Sequence, residues 1–296
     1  MTTSPARVSR SRRRRVRPGD AILNIWGVLG LLFLFFPIIV IVVYSFNSGR
    51  TLQTFDGFSV EPYVAALSNP AITNSITVSL VTAAGTAVVA TILGTSAGIA
   101  LARRPRWWAP GLLVLLGLVM VTPEIVSAIS LLPWFVTLGT DWYITMFNIG
   151  QVRLIIANSL FASAVVTFIV RARMTGMNES LEEAAADLYA TPLRRFTDVT
   201  LPLIRPAVIA GALLAFTLSL DNTVVSSFVS VAGSTPWPVY IFASLKAALR
   251  PEIAAMSTLM LVLTLVVLGV AALILRRDPA GTGGGAAGLT DAMVGR

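Results

Sequence analysis

The sequence contains no cysteine and no histidine, and it is poor in charged side chains. Without these two residue types the chain cannot form disulfides, thiolate nucleophiles, His-based triads or the usual zinc clusters. Charged residues account for 12% of the chain, whereas a soluble domain typically has about 25%. Lysine occurs only at Lys246, outside any G-x-x-x-x-G-K-[ST] motif, so no P-loop is present. The composition therefore indicates a membrane protein that cannot hydrolyse ATP by the P-loop route.

Hydrophobic residues make up 55% of the chain and are concentrated in six long apolar runs. A helix needs about 20 such residues to cross the hydrocarbon core of a bilayer. The sequence predicts membrane-spanning helices at 22–46, 76–102, 111–138, 154–170, 206–231 and 253–275. The third of these is interrupted by Pro123 and Pro133. We therefore predict an all-α integral membrane protein with six transmembrane helices.

The basic residues indicate the orientation of these helices. With a cytoplasmic N-terminus, the inner segments hold 18 of the 22 Lys and Arg residues, as the positive-inside rule requires. We predict an N-in, C-in topology with a basic tail at 1–21, a transmembrane domain at 22–275 and a flexible cytoplasmic tail at 276–296. Because the arginines cluster beside apolar segments, orientation in a bilayer explains the net charge of +8 better than a nucleic-acid partner does. We expect the residues from Arg7 to Arg17 to lie on the anionic inner leaflet.

One cytoplasmic connection, 171–205, is 35 residues long, which is unusual for a plain loop. Ser180-Leu181-Glu182-Glu183 has the spacing of a capping box, and the residues after it favour helix. Thr191-Pro192 is typical of an N-cap followed by proline at the first helical position. We predict two short helices joined by a sharp turn at Tyr189-Ala190, the second of them ending near Thr200.

The order of residues in this connection resembles the EAA loop of binding-protein-dependent ABC importer permeases. Glu183-Ala184-Ala185 is followed, at the spacing of that family, by a turn position and by Val199-Thr200-Leu201-Pro202. The resemblance implies a coupling helix seated in a cleft of a separate ATPase subunit, which would bind ATP and Mg. It assigns coupling to Glu182, Glu183, Ala184, Ala185, Asp187, Leu188, Tyr189, Leu201 and Pro202. The family's turn position is usually glycine, whereas Tyr189 would be costly there if the turn needs a positive φ.

A second set of residues, spread over 25–275, is similar to the spermidine/putrescine branch of these permeases, specifically its C-type subunit. They are TPEIV at 122–126, AISLL at 128–132, SLDN at 219–222, VVSSFV at 224–229 and PVYIFA at 238–243. That branch usually has a second acid where Asn222 stands and often Asp where Glu124 stands.

This resemblance implies the type I ABC importer permease fold in the bacterial cytoplasmic membrane. It also implies polyamine import by alternating access, with no cofactor bound by the chain itself. The implied partners are a sister permease in a hetero-dimer, an ATPase dimer and an extracytoplasmic solute-binding protein.

Of the fourteen Asp and Glu residues, only Glu124 and Asp221 fall well inside predicted spans. An ionisable group at the bilayer centre costs roughly 2.5–3.5 kcal/mol, so each needs a partner or a polar cavity. From the helical rise, both lie about 20 Å from the cytoplasmic ends of their spans. Carboxylates with aromatic neighbours suit an amine cation. We predict a substrate pathway, with no metal site, lined by Glu124, Asp221, Ser127, Thr217, Phe135, Trp134 and Phe228.

Several alternatives stay open. The solute could be amino-acid-like, a sugar or metal-related, or the chain could be a secondary carrier or channel that uses the two acids as ion sites. The carrier hypothesis would predict internal repeats, and none is convincing. Each acid could also merely hydrogen-bond a neighbouring helix, at about 0.6 kcal/mol per pair. The hypothesis of an intramembrane enzyme has the least support, because the sequence contains no nucleophile elbow or metal motif.

Overall fold

The computed structural model describes residues 18–103, 106–246 and 250–277, and it is built almost entirely of helices. The α-helices are α1 Pro18–Tyr44, α2 Glu61–Ser68, α3 Pro70–Arg103, α4 Ala109–Val121, α5 Glu124–Val136, α6 Gly150–Thr175, α7 Ser180–Asp187, α8 Pro192–Arg195, α9 Leu201–Asp221, α10 Val224–Val229, α11 Trp237–Ser244 and α12 Pro251–Arg277. The described residues also include two π-helical turns, Thr137–Asp141 and Phe196–Thr200, and one 3-10 turn, Thr145–Asn148.

Five helical segments are long and apolar enough to cross a membrane by themselves. They are Asn24–Tyr44, Pro70–Arg103, Gly150–Thr175, Pro192–Asp221 and Pro251–Val270. A bent pair of helices, Ala109–Val121 with Glu124–Asp141, meets the same length and composition requirement when taken together and is the sixth candidate span. The six predicted apolar runs are therefore confirmed as helical, although most bounds move by several residues. The N-in, C-in orientation stays a prediction.

The centre of the fold is a three-helix contact between α3, α6 and α9. Two glycines of α3 allow its backbone to approach α6. A Cβ added at Gly94 would lie 2.6 Å from the Cβ of Val166, and one added at Gly98 would lie 2.9 Å from the carbonyl oxygen of Thr167. Small residues four apart give this close approach in membrane helices, where packing rather than water drives association.

The third span is broken at one proline and not at the other. α4 and the segment that begins at Glu124 meet at an angle of 107°. Thr122, the residue before Pro123, is extended with ψ of 127°, as the proline ring requires of its predecessor. Pro133 instead lies inside α5. The predicted interruption at Pro133 was therefore wrong.

The fifth span also departs from the predicted 206–231. Its helix begins earlier, at Pro192, and ends at Asp221. Asn222 then turns the chain, and its side-chain Oδ1 accepts hydrogen bonds from the backbone N–H groups of Val225 (3.0 Å) and Ser226 (3.3 Å). These bonds satisfy two of the free N–H groups at the start of α10. An asparagine cap, rather than proline or glycine, thus ends this span.

α1 is peripheral. It packs against α12, and none of the residues 24–44 is buried. Outside the membrane-crossing helices, the segment that follows α1 is ordered by the buried Asn47. Its Nδ2 donates to the carbonyl oxygens of Thr51 and Thr54, and its Oδ1 accepts from the backbone N–H groups of Gly49 and Asp56.

Candidate functional site

The first helix predicted in the 171–205 connection is present as α7, but it does not begin with a capping box. Ser180 is the first helical residue rather than the N-cap. Its backbone N–H donates to Oδ1 of Asn178 at 3.0 Å. The predicted role of Ser180 as the capping residue was therefore wrong. Asn178 supplies the capping oxygen from two residues upstream.

The turn after α7 has the left-handed conformation that glycine usually provides, although tyrosine occupies it. Tyr189 has φ of +58°. Its N–H donates to the carbonyl oxygen of Ala186 (2.9 Å), and the N–H of Ala190 donates to that of Ala185 (3.1 Å). This pair of bonds is a Schellman motif, which satisfies carbonyl groups at the helix end. The left-handed conformation costs a non-glycine residue roughly 1–2 kcal/mol.

The second predicted helix begins as expected but does not end at Thr200. Oγ1 of Thr191 accepts a hydrogen bond from the N–H of Arg194, so the predicted N-cap is confirmed. α8 runs on through the π-helical turn 196–200 into α9 without a break. The predicted end near Thr200 was therefore wrong. Pro202 has no N–H and its ring clashes with a regular preceding turn, and the wider π-helical turn makes room for it.

An ion-pair cluster fastens α7 to the ends of two membrane helices. The guanidinium of Arg103, at the end of α3, bonds to the carboxylates of Glu179 (2.8 Å) and Glu182 (3.1 Å). Oγ1 of the buried Thr200, at the start of α9, donates to Glu182 at 2.8 Å. Glu182 therefore joins α7, α3 and α9. The sequence placed Glu182 in the coupling set but gave no indication that Arg103 and Thr200 would meet it.

The other predicted coupling residues divide into an exposed group and a half-buried one. Ala185 is half-buried. Tyr189 is 96% exposed and Leu188 81% exposed. Among the described residues, the exposed Glu183 side chain makes no hydrogen bond or ion pair. The exposed members are Glu183, Ala184, Asp187, Leu188, Tyr189, Leu201 and Pro202. α7 thus presents one acidic and apolar face away from the helix bundle.

Where the third and fifth spans break, a cavity of about 140 Å³ lies between α4, α5, α6 and the start of α10. Glu124 and Ser127 line it, as does Leu131, the next residue on the same helical face. Asp221 is not among the described residues that line it, whereas its neighbour Asn222 is. The remaining lining residues are Val119, Thr122, Ala157, Asn158, Leu160, Phe161 and Val225.

The other predicted pathway residues do not line this cavity. Phe135 is buried and stacks on Phe147 with ring centroids 5.9 Å apart. Thr217 donates its hydroxyl to the carbonyl oxygen of Leu213 in its own helix, at 2.7 Å. Trp134 and Phe228 lie on exposed surfaces. Their predicted roles in the pathway are not tested by these positions.

A chain of buried polar side chains leads to the cavity wall, and the sequence gave no specific indication of it. Nδ2 of Asn158 donates to Oγ of Ser219 at 3.2 Å, and that hydroxyl donates to Oγ1 of Thr86 at 3.2 Å. Asn158 is 6% exposed, and its Oδ1 has no hydrogen-bond partner among the described residues. A buried acceptor without a donor costs about 1–3 kcal/mol. The amide of Asn158 inside an apolar span was the only signal available.

The chain matches known proteins over most of its length. The sequence profile of the family described as "Binding-protein-dependent transport system inner membrane component" matches residues 90–277. The chain is 39% identical over 237 residues to the putrescine transport system permease protein PotI of Escherichia coli K12, covering 79% of this chain and 83% of PotI. It is 36% identical over 252 residues to the spermidine/putrescine transport system permease protein PotC of Shigella flexneri, covering 85% and 93%.

The fold also resembles that of solved transporters. A chain in the crystal structure of a bacterial alginate ABC transporter, in complex with its alginate pentasaccharide-bound periplasmic protein, superposes with a TM-score of 0.70. The match covers 89% of this chain and 96% of the other at 16% identity. At that identity the likeness concerns the fold alone.

Proposed function

Because the chain belongs to the family of binding-protein-dependent transport system inner membrane components, we propose that it is the permease subunit through which an ATP-driven importer takes up polyamines. As a family member it is a transport subunit of the inner membrane and not an enzyme. The family and the similar permeases favour this hypothesis over a self-sufficient carrier or channel. The polyamine substrate is supported by the names of the relatives, PotI and PotC, at 39% and 36% identity.

The proposed assembly pairs this chain with a sister permease, a dimeric ATPase that binds ATP and Mg, and an extracytoplasmic solute-binding protein. The exposed face of α7 supports contact with the ATPase. Glu183, Leu188 and Tyr189 point away from the bundle and are available to another subunit. An acidic side chain beside exposed apolar groups suits a cleft that has a basic rim and an apolar floor.

In the proposed mechanism, closure of the ATPase dimer moves α7, and the cluster around Glu182 passes that movement to α3 and α9. The supporting observation is that Glu182 bonds both to Arg103 on α3 and to Thr200 at the start of α9. Because α3 and α9 are both packed on α6, a movement of α7 changes the arrangement of the central three helices. Access to the cavity then alternates between the two sides of the membrane.

The proposed pathway for the cation includes Glu124, and Asp221 remains a candidate beside it. Glu124 lies at the first position of α5, where a carboxylate also compensates the positive end of the helix dipole. A carboxylate that lines a cavity inside the membrane favours a cationic over an anionic solute. We propose that most substrate selection occurs in the solute-binding protein, and that the cavity accepts what is delivered to it.

The test of this function is the uptake of radiolabelled putrescine and spermidine by cells that lack only this chain, with and without its restoration. We expect uptake to fall when the chain is absent and to return when it is restored. An ATPase-dead partner should abolish the restored uptake. Unchanged uptake of both polyamines would contradict the proposed substrate and leave the family assignment intact.

A further inference from the structure

A cavity of about 660 Å³ lies at the end of the helix bundle opposite α7. The segment after α1, the start of α2 and the start of α12 enclose it, and α3 leads from there to the ion pair of Arg103 with α7. Charged side chains of both signs line the cavity: Arg50, Arg250, Glu61 and Glu252. We propose that it binds the headgroup of a zwitterionic phospholipid, whose phosphate is held by the arginines and whose ammonium is held by the glutamates. Such binding is independent of the transported solute.

The position of the cavity corresponds to the level of lipid headgroups. The membrane-crossing segment of α1 ends at Tyr44, and residues 47–51 line the cavity just beyond that end. The membrane-crossing segment of α12 begins at Pro251, which also lines the cavity. Because each span is about as long as the hydrocarbon core is thick, the cavity lies where the acyl chains end and the headgroups begin.

Aromatic rings are concentrated beside the cavity, between the end of α1 and the start of α2. Ring centroids are 5.8 Å apart for Tyr44 and Phe55, 4.9 Å for Phe55 and Phe58, and 5.1 Å for Phe46 and Tyr63. Tyrosine is enriched at the boundary between bilayer and water, because its ring is apolar and its hydroxyl is polar. The two tyrosines of this cluster therefore support a position at the headgroup level.

α2 has an apolar strip that remains largely exposed. Val60, Val64 and Leu67 follow one another at helical spacing and are 67%, 63% and 59% exposed. The other side of the helix is buried through Pro62 and Ala66. An apolar strip of this kind is unfavourable in water and favourable at the boundary between headgroups and acyl chains. These features support α2 as an interfacial helix that borders the cavity.

The charged side chains of the cavity have no partners of their own. None of the four makes a side-chain hydrogen bond or an ion pair with another described residue. Asn47, which also lines the cavity, has both donors and both acceptor positions occupied by its own four hydrogen bonds. Recognition of a ligand therefore depends on the two guanidinium groups and the two carboxylates.

The two signs of charge select the class of ligand. Guanidinium groups match the geometry of a phosphate, and carboxylates accept hydrogen bonds from an ammonium group. A zwitterionic headgroup satisfies both sets, whereas a purely anionic or purely cationic ligand would leave one set facing a like charge. The volume of about 660 Å³ falls within the roughly 300–1,000 Å³ of pockets that enclose small ligands. It therefore has room for a headgroup and the glycerol attached to it.

The experiment measures the lipid retained by the full chain in its assembled complex. The complex is purified from bilayers with equal amounts of phosphatidylethanolamine, phosphatidylcholine and phosphatidylglycerol, and its lipid is counted by mass spectrometry. The lipid lost in the double variant Arg50→Gln with Arg250→Gln reports this cavity, because lipid held elsewhere cancels in the difference. We expect that lost lipid to be phosphatidylethanolamine, at least about tenfold over the other two. Phosphatidylcholine has no N–H donor on its cation, and phosphatidylglycerol has no cation.

The carboxylates are tested by the double variant Glu61→Gln with Glu252→Gln. Since the guanidinium groups remain, this variant should still hold a phosphate but should retain phosphatidylglycerol within about threefold of phosphatidylethanolamine. The matched controls are Asp141→Asn and Lys246→Gln, which remove exposed charges that do not line the cavity. Both controls should retain lipid as the wild type does.

Several results would overturn the proposal. They are unchanged retention in both double variants, equal retention of phosphatidylcholine and phosphatidylethanolamine by the wild type, and an equal loss in the controls. Binding of free phosphoethanolamine as tightly as the lipid would identify a soluble ligand instead of the membrane. Unchanged lipid together with lost stimulation of ATP hydrolysis by the solute-binding protein would assign the cavity to that protein.

Discussion

The attachment of α7 to the membrane helices gives a quantitative prediction. Glu182 has a side chain that is 24% exposed and bonds to both Arg103 and Thr200. A hydrogen bond to a charged group contributes about 1.5–3 kcal/mol, and a partly exposed ion pair about 0–1 kcal/mol. Glu182→Ala removes both contacts and should weaken the attachment by roughly 1.5–4 kcal/mol. Because 1.4 kcal/mol is a factor of ten, the detached population of α7 should rise roughly 10- to 700-fold.

Two measurements on the assembled transporter in lipid vesicles check this prediction. Hydrogen exchange of the α7 amides should accelerate in Glu182→Ala, because detachment exposes them more often. The amount of substrate taken up per ATP hydrolysed should fall, while hydrolysis itself continues. The matched control is Glu179→Ala, which removes a carboxylate that is 66% exposed and, among the described residues, pairs only with Arg103. That variant should lose no more than about 1 kcal/mol.

The result that would refute the reasoning is equal behaviour of the two variants. If Glu182→Ala and Glu179→Ala show the same exchange and the same uptake per ATP, then Glu182 does not attach α7. The double variant Arg103→Ala with Glu182→Ala supplies a second check. Since the two side chains contact each other, the effects of the single changes should be less than additive.

Three further predictions concern other parts of the chain. Glu183→Lys should leave the protein inserted in the membrane but abolish ATP-dependent uptake, because it reverses the charge on the exposed face of α7; unchanged uptake would rule out a coupling role for that face. Glu124→Gln combined with Asp221→Asn should impair transport while basal ATP hydrolysis of the complex persists, and normal uptake of both polyamines would reduce the two acids to contacts between helices. Gly94→Val should lower the yield of folded protein, because even a Cβ at this position would lie 2.6 Å from Val166; size-exclusion profiles check this against Gly117→Val, where an added Cβ would lie more than 4 Å from every described atom outside its own helical turn.

Much of the membrane layout could be predicted because the bilayer imposes a simple length and composition on each span. The breaks could be predicted only in part. Pro123 signalled the first, since proline removes a donor and restricts its predecessor. The break at Asn222 carries no proline or glycine. It depends on the capping of α10 and on the packing of Val225 and Val229 with residues of α5 and α6. The spacing of residues along one helix cannot predict such contacts between helices.

The sequence predicted the positions of the candidate-site residues along their helices to within about one helical turn. The estimate of equal depth for Glu124 and Asp221 assumed two straight helices, and the structure has a break beside each acid. Asn222 rather than Asp221 therefore reaches the cavity that Glu124 lines. In the 171–205 connection the first helix and the Thr191 N-cap could be predicted, but the contact of Glu182 with Arg103 joins positions 79 residues apart. Such a pairing exists only in the folded bundle.

The exposure of α1 separates the insertion of this chain from its folding. The side chains of Phe33 and Leu34 are exposed. In water, each would cost about 1.5–3 kcal/mol of free energy relative to a buried position. In lipid that penalty vanishes, because the surrounding acyl chains are as apolar as leucine. α1 is therefore stable in the bilayer before any later helix has been synthesised. Assembly of α3, α6 and α9 can follow as a separate event, governed by the fit of Gly94 and Gly98 against α6 rather than by the expulsion of water.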